Sequence, residues 1–250
     1  MSEPTTSKPD VALIVGAGDS LGSALARRFA REGLKVCAAR RNAEKLDPLV
    51  ASVRAGGGAI HPFGCDARRE EQVVDLFARI ERDIGALEIV VFNIGANVQF
   101  GLRDTTARVY LKVWEMGCFG GFLVGREAAK YMAPRGRGTV FFTGATASLR
   151  GAEGYSAFAG GKHGLRALAQ SMAREFGKQG IHVAHVVIDG PIDTPFVRER
   201  SPELVASRPA DGLLAPDDIA DTYWMIHQQR RSAWTFELDL RPWLEPITNF

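Results

Sequence analysis

The chain has 250 residues, enough for one substantial α/β core, with 46% hydrophobic and 24% charged residues and a net charge of +2. Basic pairs such as Arg40–Arg41 and Arg230–Arg231 are too short for a polybasic patch, so neither nucleic acid nor a membrane surface is expected as a partner. No apolar run reaches the roughly 18 residues of a membrane span, the polar start "MSEPTTSKPD" lacks the apolar core of a signal peptide, and the scattered Cys37, Cys65 and Cys118 fit reduced thiols, so a cytoplasmic location is expected.

Residues 1–9 read as a flexible tail and 10–250 as a single domain. "VALIVG" (11–16) is an apolar, branched run ending in glycine, the pattern of a strand buried on both faces. Leu21, Leu25 and Phe29 then recur at helical spacing over 20–32, and Gly33 closes that helix. "LKVCAA" (34–39) predicts a second strand, 43–54 a helix, "AIHPFG" (59–64) a third strand and 68–84 a helix. "LEIVVFN" (87–93), "GTVFFTG" (138–144) and "IHVAHVVI" (181–188) continue the strands, with long helices over 105–132 and 156–178. A helix over 217–229 and a strand over 233–240 finish the chain. Strand and helix alternate throughout, which predicts a Rossmann-like, doubly wound parallel sheet with helices on both faces.

The first strand runs into "GAGDSLG", with Gly16, Gly18 and Gly22. Glycine permits positive φ and close backbone approach, and the helix opening here points free N–H groups at an anion, so a pyrophosphate is expected. Specificity depends on the end of the second strand. A carboxylate there would accept from a ribose 2′-hydroxyl, but "AARRN" places Arg40 and Arg41 instead. A guanidinium binds a 2′-phosphate in bidentate fashion, which favours NADP(H) over NAD.

These features resemble the short-chain dehydrogenase/reductase family over nearly the whole length. "GAGDSLG" is similar to its cofactor turn, with Ser20 where a middle glycine usually stands and Leu21 beside it. "CDARRE" supplies Asp66 and Ala67 at the adenine position, and "FNIGAN" supplies Asn93 and Gly95 after the fourth strand. "IDGPIDTPF" resembles the segment after the sixth strand, with Asp189 for the usual proline, Gly190 kept, and Ile192 and Thr194 where the nicotinamide carboxamide is held.

The resemblance also implies four polar groups: a tyrosine that protonates the substrate oxygen, a lysine one helical turn later, a serine and an asparagine. Lys162 matches the lysine, which in the family also bonds the nicotinamide ribose. Phe158 stands at the tyrosine position, Ala145 at the serine and Gly117 at the asparagine, and none of the three side chains can donate a proton. Tyr155 shares a helix face with Lys162 but lies two turns away, about 10.5 Å along the axis. It is the candidate replacement acid, against a tyrosine that merely lines the pocket. Thr143 and Thr146 offer hydroxyls, Asp189 an unusual carboxylate, and His163 a surface or packing role. His182 and His185, three apart on a strand, make a poor metal pair, and no metal is expected.

Residues 195–216 fall where the family places a mobile substrate lid. "GCFGGFLVG" (117–125) puts four glycines in nine residues of a helix, at a cost of roughly 1 kcal/mol each. Close approach of a partner helix would offset it, and the resemblance implies a homodimer or homotetramer. Two functions remain open. One is an NADP(H)-dependent oxidoreductase acting on a small carbonyl or alcohol with an altered proton-donating site. The other is a catalytically silent dinucleotide-binding protein of the same fold, serving as a sensor or interaction module.

Overall fold

Uninterrupted apolar runs become strands here because helices cover both faces of the sheet, leaving no wet face that would require alternation. The structure, a computed structural model, describes residues 10–245; the tail expected over 1–9 lies outside the described residues. Strands β1 (Asp10–Val15), β2 (Lys35–Arg40), β3 (Ile60–Gly64), β4 (Ala86–Phe92), β5 (Thr139–Thr143), β6 (His182–Ile188) and β7 (Glu237–Leu240) form one seven-stranded sheet. Its order is β3-β2-β1-β4-β5-β6-β7, and every neighbouring pair is parallel. This is the single-domain, Rossmann-like α/β fold anticipated above.

Alternate residues of β1 enter opposite cores. Val11, Leu13 and Val15 pack with residues of α3 (Glu70–Arg79), α5 (Gly120–Met132) and α6 (Ser156–Phe176). Ala12 and Ile14 pack with α1 (Leu21–Arg31), α2 (Asp47–Ala55) and α9 (Pro216–His227). The strand order reverses between β1 and β4, and a sheet of this kind opens its crevice at that point, beyond the carboxyl ends of the strands.

Several boundaries differ from the sequence reading. The helix expected from residue 68 begins at Glu70, because Asp66 accepts from the Arg68 backbone N–H at 3.1 Å and holds that stretch in a turn. Its last turn widens to a π-turn over Ile80–Ile84. The single helix expected over 105–132 is α4 (Ala107–Trp114), a π-turn (Glu115–Phe119) and α5. The strand expected over 233–240 starts only at Glu237. Trp234 stacks on His182 with ring centroids 4.7 Å apart, and the Thr235 N–H donates to the Gln229 side chain at 2.8 Å, which keeps both off the ladder. The segment expected as a lid, 195–216, carries two short proline-initiated helices, α7 (Pro195–Arg200) and α8 (Pro202–Ser207).

The glycines of 117–125 serve contacts within the chain, which corrects the partner-helix argument. A Cβ on Gly121 would overlap Leu165 Cδ1, one on Gly125 would lie 3.0 Å from Phe142 Cζ, and one on Gly120 3.2 Å from the Ala67 carbonyl oxygen. Gly117 faces the Gly161 backbone, 3.7 Å from its Cβ position. The helix cost is offset by drawing α5 against α6 and the sheet.

Candidate functional site

A cleft of about 1160 Å³ opens at the carboxyl ends of the strands. Gly16 adopts φ +96°, and a Cβ there would sit 2.6 Å from the Asn93 carbonyl oxygen. At Gly22 the added atom would meet Ala17 Cα at 2.7 Å. Both glycines answer to the chain's own backbone. Gly18 does not, for nothing among the described residues lies within 4 Å of its Cβ position, and it lines the cleft. Ser23 Oγ donates to the Gly18 carbonyl at 2.7 Å, and Asn93 Nδ2 to the Gly16 carbonyl at 3.2 Å, pinning the turn from two sides. Ser20 occupies the N-cap of α1 without a capping hydrogen bond. A helix start with no side-chain cap, facing a cleft across an open glycine, has the donors a pyrophosphate needs. Leu21, Gly95 and Ala67 line the same cleft.

The two arginines differ. Arg40 lies 3.1 Å from Asp19 Oδ1 and donates to the Lys45 carbonyl at 3.1 Å, whereas Arg41 is exposed and makes no side-chain hydrogen bond among the described residues. The pairing of Asp19 escaped the sequence reading; its only signal was a carboxylate inside the glycine turn. Asp66 is gripped by the Arg68 fork, with bonds of 2.9 and 2.5 Å, and the Arg68 hydrogen bond holds its carboxyl below the usual range.

At the other end of the turn, α6 carries Lys162 into the cleft wall, where it is 3% exposed. Its Nζ donates to the Thr143 carbonyl at 2.7 Å and the Ile94 carbonyl at 3.3 Å, and lies 5.9 Å from the centroid of the Phe158 ring. Burial pushes the ammonium down to about 8. Phe158, Ala145 and Tyr155 all line the cleft, with Tyr155 at the N-cap of α6. Gly117 falls inside the π-turn, against Gly161.

Three sequence candidates are corrected. The Thr143 hydroxyl is bonded to the buried Tyr223 hydroxyl at 2.8 Å, so it is not offered to a substrate. Thr146 Oγ1 donates to Asp189 Oδ1 at 2.5 Å. Asp189 itself is 2% exposed, faces Arg241 Nη2 at 3.6 Å, and does not line the cleft, although Ile188 and Gly190 on either side of it do. Gly190 has φ +151°, and a Cβ there would meet Pro242 Cδ at 2.7 Å. Thr194 Oγ1 accepts from the Val197 N–H at 3.1 Å, capping α7 while keeping its own proton to donate, and Ile192 bridges to Leu214, tying the start of the 195–216 segment to its end. His163 Nδ1 bonds the Ala159 carbonyl at 2.9 Å, a local role on α6.

Between β6, β7 and α6 lies a network that the sequence reading missed. His185 Nδ1–H donates to Glu237 Oε2 at 2.8 Å, and Arg166 grips the same carboxylate at 2.7 and 2.6 Å. Burial pushes His185 down to about 4, so the ring is neutral and the contact is a hydrogen bond rather than an ion pair. His182 turns to the Thr235 carbonyl at 2.9 Å, so the two histidines have separate partners. A histidine inside an apolar strand was the available signal; its partner on β7 was not visible.

The model of the short chain dehydrogenase family matches residues 10–204. The chain belongs to this family. Among its relatives, a short-chain dehydrogenase/reductase of Armillaria gallica is 30% identical over 199 residues, spanning 78% of this chain and 76% of the relative. Gluconate 5-dehydrogenase of Gluconobacter oxydans is 29% identical over 195 residues, 78% and 74% of the two chains. The crystal structure of a short-chain dehydrogenase from Rhodopseudomonas palustris is 47% identical with a TM-score of 0.80, covering 94% of this chain and 99% of that one. In the wall of its cleft Lys162 faces the Phe158 ring, which has no proton to give.

Proposed function

We propose that the protein is an NADP(H)-dependent oxidoreductase acting on a small carbonyl or alcohol, with its proton donor displaced from position 158 to Tyr155. The observation that carries this reading is the continuity of one cleft from the uncapped start of α1, past the Lys162 ammonium, to Tyr155. In it Gly18, Ser20, Leu21 and Gly22 hold the pyrophosphate, Asp66 and Ala67 flank the adenine, Asn93 and Gly95 border the ribose path, and Gly190, Ile192 and Thr194 hold the carboxamide. Arg41 takes the 2′-phosphate, with Arg40 second because Asp19 already occupies it.

A bound nicotinamide supplies or accepts the hydride. Reduction then leaves an alkoxide that needs a proton; Tyr155 holds it at its phenol oxygen, and Lys162 binds the ribose hydroxyls. Residues 195–216 act as the lid. The chain assembles as a homodimer or homotetramer through the α5–α6 face, where Phe122, Leu168, Met172 and Phe176 border an apolar groove, and it works in the cytoplasm. The silent-binder reading is favoured by a different observation: Phe158, Ala145 and Gly117 carry no acid, and the nearby Thr143 and Thr146 hydroxyls are engaged.

The two separate in a carbonyl panel assayed with wild type, Tyr155→Phe and Phe158→Tyr/Ala145→Ser. The oxidoreductase reading predicts turnover in wild type, a loss of about 10²-fold or more in Tyr155→Phe, and a gain in the double variant. Turnover that ignores Tyr155→Phe contradicts the displaced acid. NADPH binding with no turnover of any carbonyl leaves the silent binder.

A further inference from the structure

The cleft carries charge unevenly. Its two lining carboxylates, Asp19 and Asp66, both sit at the glycine-turn end, and each is paired with an arginine. The opposite end is walled by Met116, Ala152, Phe158, Phe196 and Val197, with Arg150 as the one cation beyond Lys162 among the described residues that line it. Arg150 has no side-chain hydrogen bond or ion pair among the described residues. Its backbone is nonetheless fixed, because its N–H donates to the Thr146 carbonyl at 3.2 Å after a tight 3-10 turn. Across the mouth, the Phe100 N–H donates to the Gly154 carbonyl at 2.8 Å, tying the loop after β4 to the start of α6. Phe196, which lines the cleft, is 65% exposed, so a large apolar side chain stands at this opening.

We propose that this end of the cleft binds a ligand with an apolar body and one anionic head group, the head held by Arg150. The proposal rests on the reading above that the glycine-turn end takes the dinucleotide. Apolar walls give an uncharged ligand most of what it needs, but covering Arg150 with it would strip water from a guanidinium that has nothing to pair with. A carboxylate or sulfonate meets the planar fork with two parallel bonds. With no carboxylate among the described residues lining this end, the positive charge of Arg150 also draws anions into the cleft. Oxidoreduction substrates here are therefore apolar oxo or hydroxy acids rather than neutral carbonyl compounds.

The test uses two dyes of similar shape, anionic 8-anilino-1-naphthalenesulfonate and neutral N-phenyl-1-naphthylamine, titrated by fluorescence with and without saturating NADP⁺. Arg150→Gln weakens the anionic dye at least about fivefold and leaves the neutral dye within about twofold, and added salt weakens only the anionic dye on wild type. Equal effects on both dyes, or none on either, overturn the proposal. So does loss of the anionic dye in Arg126→Gln, which borders the α5–α6 groove, with Arg150→Gln unchanged. NADP⁺ binding is read separately, so its failure marks failure of the dinucleotide reading, while the dye comparison still decides the role of Arg150.

Discussion

Lys162 carries a charge where a neutral side chain would fold more easily. Its fall from 10.5 to about 8 comes from burial and corresponds to about 3 kcal/mol against the charged form. Two carbonyl hydrogen bonds recover part of that cost. Below pH 8 the lysine is charged in both folded and unfolded chains, and the cost is fully present. Between pH 8 and 10.5 the folded lysine loses its proton first, the unfolded chain binds more protons, and stability rises with pH by up to about 1.4 kcal/mol per unit. Melting curves of wild type and Lys162→Met across this range check the sign: wild type gains on the variant above pH 8, and at pH 7 the variant melts at or above wild type. If the lysine is kept for the dinucleotide, the same variant binds NADPH at least about tenfold more weakly. Gly18 offers the complementary case. With nothing among the described residues within 4 Å of its Cβ position, Gly18→Val leaves the melting temperature nearly unchanged while blocking close approach of a pyrophosphate, a separation that calorimetry with and without NADPH would show.

Among the elements, β1, β2, β4, β5 and β6 were legible because burial on both faces writes itself as an apolar run, β1 with its glycine turn being the plainest case, whereas β3 and β7 are only partly buried. The helix joining β4 and β5 was legible only in outline. A π-turn leaves no periodic mark in the sequence, and the glycines of 117–125 signalled a close approach without saying to what. That approach is to Leu165, Phe142 and Gly161 of the same chain. Gly121→Ala should therefore cost about 1–3 kcal/mol by overpacking, and Leu165→Ala in the same chain should recover part of it; urea melts of the single and double variants read this directly. Pairings such as Arg40 with Asp19 and Thr146 with Asp189 were hidden for another reason. They are contacts between separate segments, brought together by the folded sheet, and local sequence does not encode them. For the same reason Thr143, Thr146 and Asp189 read as available chemistry when the fold had already engaged all three.

At the scale of the molecule, one sheet gathers an uncapped helix start, two unlike arginines, a buried lysine and an apolar far end into one cleft. The carboxyl ends of β1 and β4 flank it where the strand order reverses, so any ligand spanning the cleft is bound by both halves of the fold at once. The central claim is that this cleft takes a dinucleotide carrying a 2′-phosphate, Arg41 being its ligand. Calorimetric titration of the wild-type protein with NADPH and with NADH tests it most directly. The account predicts NADPH at least about tenfold tighter, with Arg41→Ala erasing most of the difference. Equal affinity for the two nucleotides, or binding of neither, would contradict it.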